Sequence, residues 1–406
     1  MRFKPLFIYL LLTCPTIAAS NSELDFGGFI SQGITYTSDN SFFEAGRSTS
    51  LKMTTIAVQS NYLLQDKVRF SGQLMYRNWG ELESLRIDYL MADYQFYNTD
   101  KLNLGFRLGR IKSDLGLFNS TRDIPSARPS IFLPQSVYQD TLRDTTTSYD
   151  GISLYGNRLF PTGRLNLSVA YGEYPVSSDL STSIFGKNLA GKITTDANWQ
   201  LNSSWESKNA NWLFSLGFEN PNIKVSRFNN LNEFTSLTPG EAKFDRYIFS
   251  GQYFAENWDL SIEYIHQKWQ ISGFQLYLID LPEHLQPANL PDVLENTFSN
   301  GGFYSQYRYM LNDDITLMFR LGRYYIDNDD KNGSRHAKES GDPAFSRYHK
   351  DLVSAIKWQI TPQWQLSLEA HLLTGTASIA PTVKYDHSDN NKKHWQMWSL
   401  QMAYSF

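Results

Sequence analysis

The chain ends Trp398-Ser399-Leu400-Gln401-Met402-Ala403-Tyr404-Ser405-Phe406. Every second residue, from Trp398 to Phe406, is large and apolar, and those between are small or polar. A period of two belongs to a β-strand with one face in an apolar medium and the other in a wetter one. No packing layer follows in sequence, so this strand is expected to close its sheet. A membrane barrel wall fits that pattern. A soluble sandwich that ends on such a strand is the competing reading.

The opposite end points the same way. Arg2 and Lys4 precede the apolar run Leu6 to Leu12, and Thr16-Ile17-Ala18-Ala19 offers small residues for cleavage. Residues 1–19 therefore read as a secretory signal peptide, too short for a membrane anchor. The single cysteine, Cys14, lies inside it, and Leu11-Leu12-Thr13 before it is a poor lipoprotein box. The mature chain then has no cysteine, which removes disulfides, thiol catalysis and Cys-based metal sites. No cofactor or metal is expected.

Composition narrows the class. Mean hydropathy is −0.42, yet 15% of residues are aromatic, including 24 Tyr, 26 Phe and 10 Trp. Beyond the leader no run of roughly 18 apolar residues remains for a membrane helix. Aromatic girdles at two interfaces are where a barrel uses such residues. Net charge is −4, and loss of Arg2 and Lys4 with the leader takes it to −6 (35 basic against 41 acidic). With no basic block, nucleic acid is not a partner.

Between the ends, alternating segments recur: 26–36, 51–62, 67–79, 85–97, 102–111, 151–159 and 164–174, then others through 398–406. Connections are alternately short, as at Asn98-Thr99-Asp100 and Thr361-Pro362, and long, as at 113–148, 175–195, 219–242, 272–296, 326–346 and 375–392. The expected fold is all-β: a transmembrane antiparallel up-and-down β-barrel over residues 20–406 with about 16 strands, short periplasmic turns and long extracellular loops. Fourteen or eighteen strands stay open, because residues 190–206 parse poorly. The thirteen prolines past the leader all fall outside these strands, as a closed ladder requires.

The faces can be assigned. Leu102, Leu104, Phe106 and Leu108 oppose Asn103, Gly105, Arg107 and Gly109; Val68, Phe70, Leu74 and Tyr76 oppose Arg69, Gln73 and Arg77. Trp258, Leu260, Ile262 and Tyr264 oppose Asp259, Ser261 and Glu263. Similarly, Gln306 with Arg308, Arg320, and Gln365 with Glu369 and His371 face away from apolar neighbours. A dry core would not accept so many ions, since each unpaired buried charge costs several kcal/mol. The charged side must be wet and the apolar side must meet lipid. Sixteen strands enclose enough width for an aqueous channel.

The longest connection, 113–148, is not an ordinary solvated loop. Leu115, Leu117, Phe118, Ile131, Phe132, Leu133 and Val137 need a surface to pack on, and Pro125, Pro129 and Pro134 stiffen it. It suits a plug folded into the barrel, with packing on the outer rim as the alternative.

Two resemblances attach to these residues. The terminal strand ending in Phe406 resembles the signature of outer-membrane barrels, which implies recognition by the barrel-assembly machinery. The segment GRIKSDLGLFNSTRDIPSARPSIFLPQSVY at 109–138, with SYDGISLYG at 148–156, resembles a largely uncharacterised group of porin-like outer-membrane proteins of Gram-negative bacteria. The resemblance spans roughly 26–156 and implies a barrel, diffusion of small solutes and a constriction loop between the fifth and sixth strands. It also resembles phosphate-selective porins in size, without a dense arginine ladder.

A constriction selects by opposing charges. The candidate positive side is Arg69, Arg77, Arg107, Arg308 and Arg320, with Arg122 and Arg128 from the loop; the negative side is Asp123, Asp259, Glu263 and Glu369, and Gln73 lines the same wall. Mutual pairing that holds the loop to the wall is the competing role for each. The Asp327–Gly333 run lacks the closing Glu of a calcium loop and reads as solvated surface. Ser367, Glu369 and His371 share one strand face but have no nucleophile motif, which disfavours a hydrolase. A receptor or adhesin with a plugged lumen is the main alternative to a passive channel. A fatty-acid transporter would need an amino-terminal hatch, and only 20–25 precede the first strand. Outer-membrane lipid and a homotrimer are the expected surroundings.

Overall fold

A computed structural model describes residues 22–42, 48–64, 67–80, 82–177, 180, 191–228, 235–278, 294–379 and 391–406. The signal peptide, Cys14, His387 and Pro282, Pro287, Pro291 and Pro381 lie outside the described residues.

Sixteen long strands form the wall: β1 (Ser22–Thr37), β2 (Met53–Leu64), β3 (Val68–Trp79), β4 (Leu82–Asn98), β5 (Leu102–Lys112), β6 (Ser148–Phe160), β7 (Gly163–Glu173), β8 (Asn198–Ser207), β9 (Trp212–Glu219), β10 (Gly240–Phe254), β11 (Trp258–Phe274), β12 (Leu294–Met310), β13 (Ile315–Tyr325), β14 (Tyr348–Gln359), β15 (Trp364–Thr374) and β16 (His394–Ser405). Each pairs antiparallel with its sequence neighbour. β16 then returns to β1, from Phe29↔Ser405 to Thr37↔Met397. Phe406 completes the seam, its backbone N–H donating to Gly28 O and its carbonyl accepting from Gly28 N, both at 3.0 Å. Among the described residues, closure leaves the sixteen-stranded wall without an edge, which is why its ladder can stand in lipid.

Period-two alternation places the side chains as the sequence requires. Trp398, Leu400 and Met402 face outward and are exposed, while Ser399, Gln401 and Ala403 face inward and are buried. Outward aromatics run together along the short-turn rim: Trp212 lies 4.6 Å from Tyr253, Tyr253 5.3 Å from Trp258, and Trp258 5.7 Å from Tyr307 between ring centroids. Such a belt seats a barrel at the membrane interface.

Two departures from the alternating short and long connections have local causes. Gly80 takes φ +69, so β3 turns toward β4 at Gly80, at the rim that otherwise carries the long loops. In the 190–230 region, Asn220-Pro221 interrupts β9, and the chain re-forms as a short strand, Asn222–Phe228. That strand pairs with Gly191–Thr195 on one side and with β10 on the other. With the long β11 and β12, it raises one side of the wall into a crest above the long-loop rim. The crest has its own apolar cluster of Leu180, Ile193, Ile223, Val225, Phe244 and Trp269. Among the described residues, Pro125, Pro129, Pro134, Pro161, Pro175, Pro221, Pro239, Pro343 and Pro362 all lie outside strands.

Candidate functional site

Residues 113–147 lie across the interior of the barrel. The loop's apolar residues explain why. Leu115, Phe118, Leu133, Val137 and Tyr138 pack on Ile248, Ile265 and Tyr304, inward residues of β10, β11 and β12. Ile131 and Phe132 cross to the other side and pack with Met53, Trp79, Leu373, Trp395 and Met397. Gly302 of β12 makes the contact close: a Cβ there would stand 2.4 Å from Ser136 O.

Three inward carboxylates fasten the loop. Glu263 of β11 accepts from Leu117 N at 2.8 Å and from the hydroxyls of Tyr138, Tyr304 and Ser250, each at 2.6 Å. Glu369 of β15 accepts from Ile131 N at 2.7 Å and Phe132 N at 3.2 Å, and His371 Nε2 stands 2.9 Å from its other oxygen. Glu219 of β9 binds Arg246 and the Tyr174 hydroxyl, and Arg246 donates to Thr145 O. Arg320 of β13 donates to Ser130 Oγ and Phe132 O at 3.0 Å, and Lys357 Nζ of β14 reaches Ser126 O at 2.7 Å.

The loop's remaining charges form an ionic chain against β3, β4 and β5. Asp140 receives Arg77 and Arg122, both at 3.2 Å. Asp123 receives Arg143 at 2.5 Å and Lys112 at 2.9 Å. Lys112 continues to Asp88 at 2.6 Å, and Arg86 joins Asp144 at 2.8 Å. Arg77 and Arg128 both stand over the Trp79 ring, at 4.2 and 5.7 Å. Arg128 also donates to Gln401 at 2.6 Å.

The residues singled out in the sequence therefore divide. Arg77, Arg122, Asp123, Arg128, Glu263, Arg320 and Glu369 come together, but as fastenings between loop and wall rather than as bare charges across a gap. The reason is burial: each is at most 6% exposed, and an ion so placed needs a partner. Arg107 pairs with Asp93 at 3.0 Å and lies over Tyr155, and Arg308 pairs with Asp259 at 2.7 Å; both sit nearer the short-turn rim. Gln73 reaches Gln59 at 3.3 Å, while Arg69 is exposed at that rim. Sequence reasoning missed Arg86, Asp88, Asp140, Arg143, Asp144, Glu219, Arg246 and Lys357. Inward parity was a usable signal for Glu219 and Arg246. Asp88 was hidden by a bulge, where the register shifts between Gln73 and Leu74.

The Ser367 hydroxyl is engaged by Gln365 Nε2 at 3.1 Å while His371 is turned to Glu369. Asp327 and Asp330 serve the short helix α1 (Ser334–Ser340): Asp330 accepts from the backbone N–H groups of Arg335 and His336, and Asp327 pairs with Arg335.

Three solved structures share this architecture. The outer membrane channel DcaP of Acinetobacter baumannii superposes with a TM-score of 0.56 at 12% identity, covering 95% of this chain and 98% of that one. The anion-selective porin from Comamonas acidovorans gives 0.58 at 10% identity, covering 95% and 100%. The chain has the sixteen-stranded porin fold. OmpT, an outer membrane protein of Vibrio cholerae, matches in its trimer form with a TM-score of 0.52 at 10% identity over 95% and 100%. A scan against protein-family models and a comparison with curated proteins each find no match.

The ionic chain fixes how the porin-fold loop responds to acid. Burial alone would raise the Asp123 and Asp140 carboxyls, but it is outweighed, by Arg143 and Lys112 at Asp123 and by Arg77 and Arg122 at Asp140. Both carboxyls are held below the usual range. A carboxylate depressed in the folded state adds stability above its unfolded pKa and loses it only as pH falls through the folded value. The contribution of these two carboxylates to loop docking is expected to be constant above about pH 5 and to be lost only below about pH 4. Trp79 fluorescence or single-channel current against pH reads this, and an acid limb that persists unchanged in the Asp123→Asn, Asp140→Asn double variant would count against the ionic chain as the fastening.

Proposed function

We propose that this chain is an outer-membrane porin: a passive channel for small hydrophilic solutes through a charged aqueous lumen narrowed by its own internal loop. The observation that carries the reading is the loop 113–147 fastened inside a barrel whose inward face is polar and ionised. The open side of that lumen is the wall of β6, β7 and β8. There Tyr155, Asn157, Asn166, Ser168, Asn202 and Ser204 stay partly exposed, with Ser168 and Asn202 hydrogen-bonded to the loop at Asp114. The short turns face the periplasm and the crest and long loops face outward, with lipid around the aromatic belts. The terminal strand ending at Phe406 is the segment the assembly machinery reads, and the assembled form is a homotrimer.

Planar-bilayer recording tests the reading. Purified protein should conduct ohmically, and Arg107→Glu or Arg128→Glu should move the reversal potential in asymmetric salt toward cations. An unchanged reversal potential in both variants would remove these residues from the path. A second reading, a surface receptor or adhesin with a closed lumen, is favoured by the burial of Ser261 and Gln306 at 0% and Gln401 at 2% beside the loop. Under it, no conductance is recorded while ligand binding to the outer loops persists.

A further inference from the structure

The ionic chain does not balance locally. Arg77, Arg122, Arg128 and Arg143 line a cavity of about 20 Å³ together with Thr55, Trp79 and only two carboxylates, Asp123 and Asp140. Asp140 is shared by Arg77 and Arg122, and Asp123 by Arg143 and Lys112. Arg128 has an amide oxygen, Gln401 Oε1, as its partner instead of a charge. The neighbouring Arg86 and Lys112 are matched by Asp88 and Asp144, so they do not relieve the excess. Among the groups counted, two positive charges are left over, with Glu369, held by Arg320 and His371, acting on Arg128 from beyond the lining; each lining arginine is at most 6% exposed. Arg143, which lines the cavity, has a buried Nε with no hydrogen-bond partner.

We propose that this cavity binds one small monovalent inorganic anion, of the halide type, as a structural counterion of the internal loop. Uncompensated buried charge costs several kcal/mol, and a single anion among four guanidinium groups offsets much of it through charge-assisted hydrogen bonds. The volume suits one monatomic ion, since a single water needs roughly 10–15 Å³ of such space. Oxyanions such as phosphate or sulfate do not fit. Burial is the main cause that pushes Arg122 and Arg128 each down to about 10; Arg143 adds to it at both, while Asp140 and Asp123 oppose it at Arg122, and Asp123, Glu369 and Asp140 oppose it at Arg128.

Crystals of the full protein grown or soaked in sodium bromide, measured at the bromine edge, test the site directly. The expected result is one anomalous peak among the four arginines, lost in Arg143→Gln. In solution, chloride should raise Tm by several degrees in a saturable manner relative to gluconate at equal ionic strength, and Arg128→Gln should remove that difference. Wild-type crystals with no anomalous peak in the cavity overturn the proposal even if both variants misfold. Equal stabilisation by chloride and gluconate overturns it as well. Neither measurement depends on whether the barrel conducts.

Discussion

Gly28→Val is expected to abolish recovery of the closed barrel. Gly28 carries both backbone hydrogen bonds to Phe406 at the seam. A Cβ at this position would stand 2.4 Å from Ala57 O and 2.6 Å from Phe406 Cζ. The first of these is ladder backbone and cannot move without breaking the β1–β2 pairing. Because a barrel is stable in lipid only when every strand is paired, a Cβ that pushes β1 away from β2 at Ala57 and from Phe406 at the same point strains both neighbours of β1 where the seam closes. Heat-modifiable mobility on gels, scored after refolding into detergent or vesicles, should show almost no folded form. Gly27→Ala is the control: its Cβ would meet Phe406 O at 3.2 Å, a contact that a shift of a few tenths of an ångström relieves. A folded yield for Gly28→Val equal to that of the unchanged protein would show that the seam is not where closure is decided.

The second large effect is at the loop. Glu263→Ala leaves the Leu117 N–H and the hydroxyls of Tyr138, Tyr304 and Ser250 without their acceptor. Glu369→Ala does the same to Ile131 N and Phe132 N and strips Arg320 of a carboxylate 3.6 Å away. Removing one partner of a buried charged network costs about 3–5 kcal/mol. The two anchors share no partners, so their effects should nearly add. A combined loss of roughly 6 kcal/mol lowers the docked-to-undocked ratio by about 10⁴. Single-channel conductance of the double variant should rise several-fold, and trypsin should cut at Arg122 or Arg143, which are otherwise buried. The wall, held by its own ladder, should keep its folded mobility. A double variant with unchanged conductance and no new cleavage would show that the loop is fixed by its apolar contacts alone.

Much of the architecture was legible because a membrane wall has a strict code. Trp398 to Phe406, Leu102 to Leu108 and Trp258 to Tyr264 each alternate without error, as lipid outside and water inside require; the charges on the inner faces are what told against a dry sandwich. The loop's inward course could be read from Phe118, Ile131 and Phe132, too apolar for solvent. The roles of Glu263 and Glu369 could not be read. Whether a carboxylate inside a barrel faces water or a loop amide depends on which residues stand opposite across the lumen, and strand periodicity contains no term for that. Asp88 was lost for a different reason: one bulge breaks the parity on which face assignment rests. The strand at Asn222–Phe228 escaped because it is short and follows Asn220-Pro221, which reads as a loop.

The crest divides the molecule into two solvents. Its Ile193, Ile223, Val225, Phe244 and Trp269 are buried from water, while the apolar belt below meets acyl chains. A denaturant acting from the aqueous phase weakens burial of the first kind and leaves hydrocarbon-facing surface largely untouched. Amide hydrogens should accordingly exchange in a vertical gradient, fastest at the parapet and slowest at mid-membrane, and the uneven wall height tilts that gradient toward the β9–β12 side. A large body approaching the long-loop rim touches this taller shoulder before it reaches the mouth.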